Sequence, residues 1–219
     1  HAGHGTKLLH CLPHRRQGGN GSGSDIGCGC GAFLDYISGV AREVVAVEPS
    51  LKYRNIMSRK GFSTYSYADE AKKLYANKID VITSFDVIEH VQSPESFIKD
   101  VYDLLTAGGK AIIGTPTDAP VMRSLLGKDY EKKLLFSTQH LWILSEKNLR
   151  IISEKCGFKN IDIKYYQRYG IDNMLGWLKD KEPKSEIKQK FITETLNNVW
   201  KAQLVDNGLA DYIVLYLEK

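Results

Sequence analysis

The sequence of 219 residues contains little cysteine and no long apolar run. Its thiols, Cys11, Cys28, Cys30 and Cys156, are too few and too scattered for a disulfide framework in a chain of this size. No stretch of 18 apolar residues is present, and the first residues lack the apolar centre of a secretory signal. We therefore expect reduced thiols, no membrane span and a cytoplasmic protein.

Acidic side chains are absent from the first 24 residues, which also differ in composition from the rest. This segment holds four of the six histidines, carries Lys7, Arg15 and Arg16, and ends in a run of glycine and serine. The formal net charge of +4 therefore falls to +1 for residues 25–219, which argues against a nucleic-acid partner. We expect residues 1–24 to be an atypical segment that need not be native to the fold, with a truncated or replaced first strand.

Beyond residue 24, strand patterns alternate with helix patterns, and there is no repeat. The alternation predicts right-handed crossovers and an α/β fold, in which helices cover both faces of a mostly parallel sheet. The strand patterns after the first strand occupy residues 43–50, 62–69, 79–85, 110–116, 160–166 and 211–219.

Two insertions, residues 117–140 and 167–208, interrupt this alternation. Ligands of open parallel sheets bind at the carboxyl ends of the strands, so insertions that leave from that edge can roof a site. Alternatively they cover one flank of the sheet or pair with another subunit, which leaves a homodimer open. We assign residues 25–219 to one domain that contains both insertions.

The stretch DIGCGCG, residues 25–31, places three glycines at every second position after an acid. Gly27, Gly29 and Ala32 also satisfy the dinucleotide fingerprint, and Glu48, 21 residues after Gly27, suits the ribose of NAD or of another adenosine cofactor. However, Asp25 would repel a pyrophosphate and attract a cation. No tyrosine is followed four positions later by the lysine expected of NAD-dependent reductases and epimerases. The pattern favours the cationic donor S-adenosylmethionine.

Five sequence blocks occur in an order that resembles a known family. They are DIGCGCG at 25–31, VEP at 47–49, FDVIEHV at 85–91, GGKAIIGTP at 108–116 and QHLWILS at 139–145. Together they look like the class I S-adenosylmethionine-dependent methyltransferases with small-molecule acceptors, a group that includes ubiquinone-pathway O-methyltransferases and many sugar-modifying enzymes. The resemblance covers residues 25 to about 165 and implies a Rossmann-like sheet of seven strands with an antiparallel last strand.

The resemblance also implies which residues contact S-adenosylmethionine. The glycine turn would admit the methionine part, Glu48 would hold the ribose, the start of the loop after the third strand would contact adenine, and the end of the fourth strand would lie beside the donor. The implied cofactor-binding residues are Asp25, Gly27, Cys28, Gly29, Gly31, Glu48, Pro49, Ala68, Asp69, Phe85, Asp86 and Val87.

His90 and His140 are the histidines outside the N-terminal segment, and we predict that they form the catalytic pair. A histidine titrates in the range needed to deprotonate an acceptor, and His140 follows the first insertion, where a base facing the acceptor would lie. A structural hydrogen bond is the alternative for His140, and packing beneath the site is the alternative for His90. Although Asp86, Glu89 and His90 resemble the E-x-x-E-H segment of some ubiquinone-pathway enzymes, we assign no metal ligand.

The sequence thus predicts a methyltransferase that acts on a small molecule, most simply on a hydroxyl group of a sugar, a quinone-like compound or another metabolite. Tyr130, Tyr165, Tyr169 and Trp177 would line the acceptor pocket or, alternatively, belong to the core of the insertions. Two other functions remain open at this stage: an NAD-dependent reductase or epimerase, and a catalytically idle, cofactor-binding partner subunit.

Overall fold

A seven-stranded sheet forms the centre of the computed structural model, which describes residues 21–136, 139–181 and 189–219. The strands are β1 Ser22–Ile26, β2 Glu43–Val47, β3 Ser63–Tyr65, β4 Ile79–Phe85, β5 Leu105–Pro116, β6 Asn160–Tyr166 and β7 Tyr212–Glu218. They lie in the order β3-β2-β1-β4-β5-β7-β6. Only β7 runs against its neighbours β5 and β6, so the predicted Rossmann-like sheet with an antiparallel last strand is confirmed.

Helices connect the strands and build the two insertions. They are α1 Ala32–Ile37, α2 Leu51–Arg59, α3 Ala68–Tyr75, α4 Pro94–Leu104, α5 Pro120–Leu126, α6 Lys128–Tyr130, a π-helix Glu131–Leu135, α7 Glu146–Cys156, α8 Ile171–Asp180 and α9 Glu194–Asp206. Of the helices that the structure describes, none has both the length and the apolar character needed to cross a membrane.

Both faces of the sheet are covered, as the alternation predicts. Buried side chains of α3, α4 and α7 pack with those of β1, β2, β4, β5 and β7 in the main core. On the opposite face, α1 and α2 bury Leu34, Ile37 and Met57 against Val44 and Ala46 of β2. The sheet is therefore shielded from water on both sides, as a largely parallel sheet requires.

Strand β1 is complete, although its first residues are small and polar. Ser22 donates a hydrogen bond to the carbonyl oxygen of Lys78 at 2.5 Å, which satisfies its buried hydroxyl. A side chain at Gly23 would come within 2.8 Å of Ile37, so the small residue allows α1 to pack closely. Within the described residues β1 is as long as β2, although a truncated or replaced strand was expected, and it begins at Ser22, before the expected domain start at residue 25. Residues 1–20 lie outside the described part of the chain.

The third strand is shorter than its alternating pattern predicts. It ends at Tyr65, and α3 begins at Ala68, so the predicted strand over residues 62–69 was wrong at its end. The reason is local: the Glu70 carboxylate accepts a hydrogen bond from the backbone N–H of Ser66 at 2.9 Å. Acidic residues in the first turn also suit the positive end of the helix dipole.

The insertions pack against each other beyond the carboxyl ends of β5 and β6. Residues of α5, α6, the π-helix and α8 share a small apolar core, consisting of Ala119, Leu126, Tyr130, Leu135 and Trp177. The first insertion leaves the sheet after Pro116 and the second after Tyr166. Both therefore start at the edge where open parallel sheets bind their ligands.

Candidate active site

The glycine turn after β1 combines packing constraints with an open face. Gly27, Gly29 and Gly31 have positive φ angles of 78°, 51° and 78°. A Cβ atom would lie 2.2 Å from Val87 Cγ2 at Gly27 and 2.1 Å from Met57 Sδ at Gly31, whereas at Gly29 it would have no neighbour within 4 Å. The outer glycines are thus required by packing, and the middle one leaves space in which a ligand can approach the backbone.

Glu48 closes one side of this space at the end of β2. Its side chain is buried; Oε2 accepts a hydrogen bond from Gly29 N at 2.9 Å and Oε1 accepts one from Ser50 N at 2.8 Å. A carboxylate oxygen can accept a second hydrogen bond, so Glu48 retains capacity for two ribose hydroxyls. The guanidinium of Arg54 donates to the carbonyl oxygens of Glu48 and Pro49 at 2.8 and 2.6 Å, which fixes the turn.

Asp25 lies under the turn, near the end of β1. Burial raises its pKa to about 7, a hydrogen bond from the Thr83 hydroxyl at 2.8 Å opposes the rise, and the charge of Glu48 adds to it. Burial and the same two carboxyls also raise the pKa of the Cys28 thiol to about 12. The turn is therefore an environment of negative potential, and a cationic ligand fits it because the cation would stabilise the ionised form of Asp25.

The end of β4 forms the next wall of the site. The Phe85 ring contacts the Phe33 ring edge to face, with centroids 6.2 Å apart. Asp86 has a φ of 56°, unusual for a residue other than glycine, and its side chain is 51% exposed. Val87 packs against Gly27. Strained backbone at a strand end is common at functional sites. The sequence predicts that Phe85, Asp86 and Val87 belong to such a site, beside the donor.

Ala68 and Asp69 lie at the same edge, beyond Glu48. The backbone N–H of Glu48 donates to Tyr65 O at 2.9 Å, which keeps the end of β3 beside the end of β2. Ala68 is buried in the main core, and Asp69 is exposed, where its carboxylate accepts from the N–H of Glu70 at 2.9 Å. The two residues follow β3 as expected for an adenine contact, which stays a prediction.

His90 and His140 are brought together by the loop that follows the first insertion. Their ring centroids are 4.9 Å apart. The Nδ1 atom of His90 lies 2.6 Å from Gln139 O, and that of His140 lies 3.0 Å from Leu135 O. Because a carbonyl oxygen accepts and does not donate, both Nδ1 atoms carry a proton, so in a neutral ring the lone pair lies on Nε2.

Glu89 completes a polar cluster with these two rings. Its side chain is 1% exposed; Oε2 accepts from the Thr115 hydroxyl at 3.0 Å, and Oε1 lacks a hydrogen-bond partner among the described residues. Burial and the charge of Asp86 raise the pKa of Glu89. One ligand atom each from Glu89, His90 and His140 lie within 4.8 Å of one another. The sequence grouped Glu89 with Asp86 and His90, and the structure adds His140 to this group.

A cavity of about 270 Å³ lies between the two insertions. This is near the lower end of the range for small-molecule pockets, and most of its lining is apolar. Of the four aromatic residues considered for an acceptor pocket, Tyr130, Tyr169 and Trp177 line this cavity, and Tyr130 and Trp177 also belong to the small apolar core of the insertions. The fourth, Tyr165, packs instead against the main core.

The sequence patterns did not predict two charged residues that line this cavity. Arg168 follows β6 and Asp211 precedes β7, and they lie side by side with Arg168 Nε 3.5 Å from Asp211 Oδ1. Arg168 Nη1 is 4.0 Å from Asp86 Oδ1, so the cavity adjoins the end of β4. The available signal was their position: charged side chains directly beside two strands at the ligand-binding edge.

Comparison with known proteins points to one family. A family model described as a methyltransferase domain matches residues 6–163. A ubiquinone biosynthesis O-methyltransferase of Ruegeria pomeroyi is 26% identical over 163 residues, which cover 70% of this chain and 64% of that protein. The chain thus spans less than two thirds of this relative's length.

Two solved structures share the fold. A SAM-dependent methyltransferase from Archaeoglobus fulgidus aligns with a TM-score of 0.61 at 18% identity, covering 92% of this chain and 87% of the other. A SAM-dependent methyltransferase from Thermotoga maritima, described as a possible histamine N-methyltransferase, aligns with a TM-score of 0.60 at 21% identity, covering 97% and 85%.

Proposed function

Because this chain belongs to the methyltransferase-domain family, we propose that it transfers a methyl group from S-adenosylmethionine to a hydroxyl group of a small molecule. The family membership and the fold confirm the resemblance to class I S-adenosylmethionine-dependent methyltransferases. The observation that carries the choice of ligand is the turn at Gly29, which is open to a ligand and lies between the buried carboxyls of Asp25 and Glu48.

The residues around the turn would hold the donor. S-adenosylmethionine supplies a methyl group on a sulfonium centre, whose positive charge disappears during transfer. Glu48 accepts hydrogen bonds from the ribose hydroxyls, and Asp25 stabilises the positive charge of the amino acid part. Gly29 allows close approach of the backbone, while Phe85 and Val87 shape the wall toward the acceptor.

The histidines would deprotonate the acceptor, and the cavity would hold it. Burial and the neighbouring His90 lower the pKa of His140, so its ring is neutral near pH 7 and Nε2 can accept the hydroxyl proton. The cavity between the insertions holds the acceptor beside the end of β4. Alignment of two reactants in this way supplies up to roughly 7–11 kcal/mol of barrier reduction in favourable systems.

Two alternatives predict different measurements. A nicotinamide-dependent enzyme would place a pyrophosphate on the turn, where Asp25 and Glu48 would repel it. A catalytically idle partner subunit would bind the donor without turnover. Neither alternative gives a role to the neighbouring rings of His90 and His140, whose centroids are 4.9 Å apart.

Calorimetric titration tests the donor assignment. We expect the protein to bind S-adenosylmethionine and not NADH, and Glu48→Ala to weaken donor binding at least about tenfold, because two hydrogen bonds to a charged group are lost. Glu95→Ala, which removes an exposed carboxylate on α4, serves as the matched control and should bind normally. Formation of S-adenosylhomocysteine with a panel of hydroxyl compounds tests turnover. Binding of NADH alone would overturn the proposal.

A further inference from the structure

A buried carboxyl without a paired lysine or arginine lies beside the two histidines of the site. Glu89 is 1% exposed, and its Oε2 atom accepts a hydrogen bond from the Thr115 hydroxyl at 3.0 Å. Its Oε1 atom is buried and has no hydrogen-bond partner among the described residues. Burial of an ionised carboxyl is costly unless a positive charge lies near it. Ionised Glu89 therefore requires a cation close to Oε1.

Imidazole rings are the groups placed to supply this charge. His90 Nε2 lies 3.9 Å from Glu89 Oε1, and no lysine or arginine in the described part of the chain forms an ion pair with Glu89. One ligand atom each from Glu89, His90 and His140 lie within 4.8 Å of one another. Opposite charges about 4–6 Å apart favour each other's charged forms. Either ring, once protonated, is close enough to balance the charge of Glu89.

Hydrogen bonds fasten the loop that carries His140 to the segment that carries Glu89. The backbone N–H groups of Leu141 and Trp142 donate to the carbonyl oxygen of Glu89 at 2.8 and 3.1 Å. The indole N–H of Trp142 donates to Val91 O at 2.9 Å. The backbone therefore sets the distance between the carboxylate and the ring, so the two groups do not meet merely through one side-chain rotamer.

The other charged groups around the rings act in opposite directions. Burial, the neighbouring His90 and the charge of Arg168 lower the pKa of His140, whereas Asp86 raises it. Burial and the charge of Asp86 raise the pKa of Glu89, whereas His90 lowers it. The side chain of Asp86 is half exposed, so water screens its charge, while the charge of buried Glu89 is screened much less. Glu89 is therefore the carboxyl best placed to stabilise a protonated ring.

We propose that Glu89 is a positioning residue, whose buried carboxylate balances the charge of the proton that His140 takes from the acceptor hydroxyl. This inference rests on the proposed function, because it assigns a partner to the base of the same reaction. His140 Nε2 takes the proton as the acceptor oxygen bonds to the methyl carbon, and the carbon–sulfur bond breaks with its electron pair left on sulfur. The proton passes from the ring to water after the product leaves.

The pH dependence of turnover separates this role from packing. Glu89→Gln keeps the size and an oxygen for the Thr115 hydroxyl but removes the charge. We expect kcat to fall at least about tenfold and the acid limb of kcat/KM to move to lower pH by about 1 pH unit, because the protonated ring loses its counter-charge. Glu89→Asp, which keeps the charge, should restore part of the rate and return the limb toward its wild-type position. Glu95→Gln, at an exposed site on α4, is the matched control.

Nuclear magnetic resonance of the full chain gives a second readout that needs no turnover. Carbon-13 shifts of the imidazoles and of the Glu89 carboxyl follow protonation, and His90→Gln and His140→Gln assign the two ring signals. We expect Glu89 to be ionised where His140 titrates and its signal to move at the same midpoint, since the groups interact. In Glu89→Gln the midpoints of both rings should fall by about 1 pH unit. If that variant fails to fold, the wild-type signals still decide the question.

The outcomes separate this inference from the proposed function. A Glu89 carboxyl that stays protonated while His140 titrates, or a Glu89→Gln variant with an unchanged acid limb and unchanged ring midpoints, would overturn the inference and leave the methyl donor assignment intact. Calorimetric binding of Zn²⁺ that Glu89→Gln abolishes would also overturn it, because the cluster would then hold a metal ion in place of the proton. Failure of the wild-type protein to bind S-adenosylmethionine would instead reject the proposed function, whatever the titrations show.

Discussion

At His140, burial and a neighbouring imidazole act on protonation in the same direction. Both lower the pKa, and the hydrogen bond from Nδ1 to Leu135 O and the charge of Asp86 oppose them only in part. The ring is therefore neutral near pH 7, with Nε2 available as a base. A purely structural histidine would need the same hydrogen bond but would not need an unprotonated Nε2 atom.

His140→Ala should lower turnover at least about tenfold, because a general base contributes roughly 10²–10⁴-fold, and leave donor affinity nearly unchanged. Steady-state formation of S-adenosylhomocysteine and calorimetric titration of the donor give the two quantities. Added imidazole should restore part of the rate, because it can take the vacated place of the ring. Equal losses of turnover and donor affinity would indicate a structural role instead.

Spacing within one motif predicts which residues bind the donor, but it does not predict the charged residues of the cavity. Gly27 and Glu48 are separated by a strand, a turn and a helix, so their distance along the sequence already indicates one adenosine site. Arg168 and Asp211 are 43 positions apart and meet only because β6 and β7 pair in antiparallel register. Such a contact depends on tertiary structure and leaves no local pattern.

Among the elements, the turn after β1 contains two kinds of glycine: packing constrains Gly31, whereas Gly29 faces open space. Gly31 and Gly29 both have positive φ angles, but only Gly31 would bring a new side chain against another residue, Met57. Gly31→Ala should therefore lower the free energy of unfolding by about 1–3 kcal/mol more than Gly29→Ala does, because of this overpacking. Urea unfolding of both variants measures the difference.

Gly29→Ala should have the opposite profile. Its methyl group would enter the open space over the turn, so we expect donor affinity to fall at least about tenfold, with most of the stability kept apart from a backbone cost of roughly 1–2 kcal/mol. Gly61→Ala, which also has a positive φ and no neighbour within 4 Å, controls for the backbone cost alone. If Gly29→Ala binds the donor as Gly61→Ala does, the turn does not face the donor.

Two elements departed from their sequence patterns for physical reasons. In β1, small polar residues replace the apolar run of a buried strand. Gly23 lets α1 approach closely, and the Ser22 hydroxyl donates to the carbonyl oxygen of Lys78, directly before β4. Before α3, the hydrogen bond from the Ser66 N–H to the Glu70 carboxylate ends β3 earlier than the alternation predicts. The apolar runs predicted β4 and β7 well, whereas β5 begins at Leu105, five residues before its predicted start at residue 110.

In the whole molecule, one edge of the sheet would bind both the donor and the acceptor of the proposed reaction. In the proposed function, the ends of β1, β2 and β4 would hold the donor, and the cavity between the insertions after β5 and β6 would hold the acceptor. The position of this edge follows from the parallel direction of the strands, which the alternation along the sequence predicts. The shape of the cavity does not follow, because it depends on how α5, α6 and α8 pack against each other.

The buried carboxyl of Asp25 links this site to the stability of the fold. Its pKa rises from 3.8 to about 7 on folding, so the folded state binds more protons between these values. Stability should therefore fall as pH rises from about 4 to about 7 and then level off, by an amount on the order of 4 kcal/mol. Urea unfolding at pH 5.5, 6.5 and 8 measures the slope, and Asp25→Asn should reduce it.

The cationic donor favours the ionised carboxyl, so S-adenosylmethionine should raise the melting temperature more at pH 8 than at pH 5.5. An equal slope in Asp25→Asn, or a donor effect independent of pH, would show that Asp25 does not titrate beneath the donor.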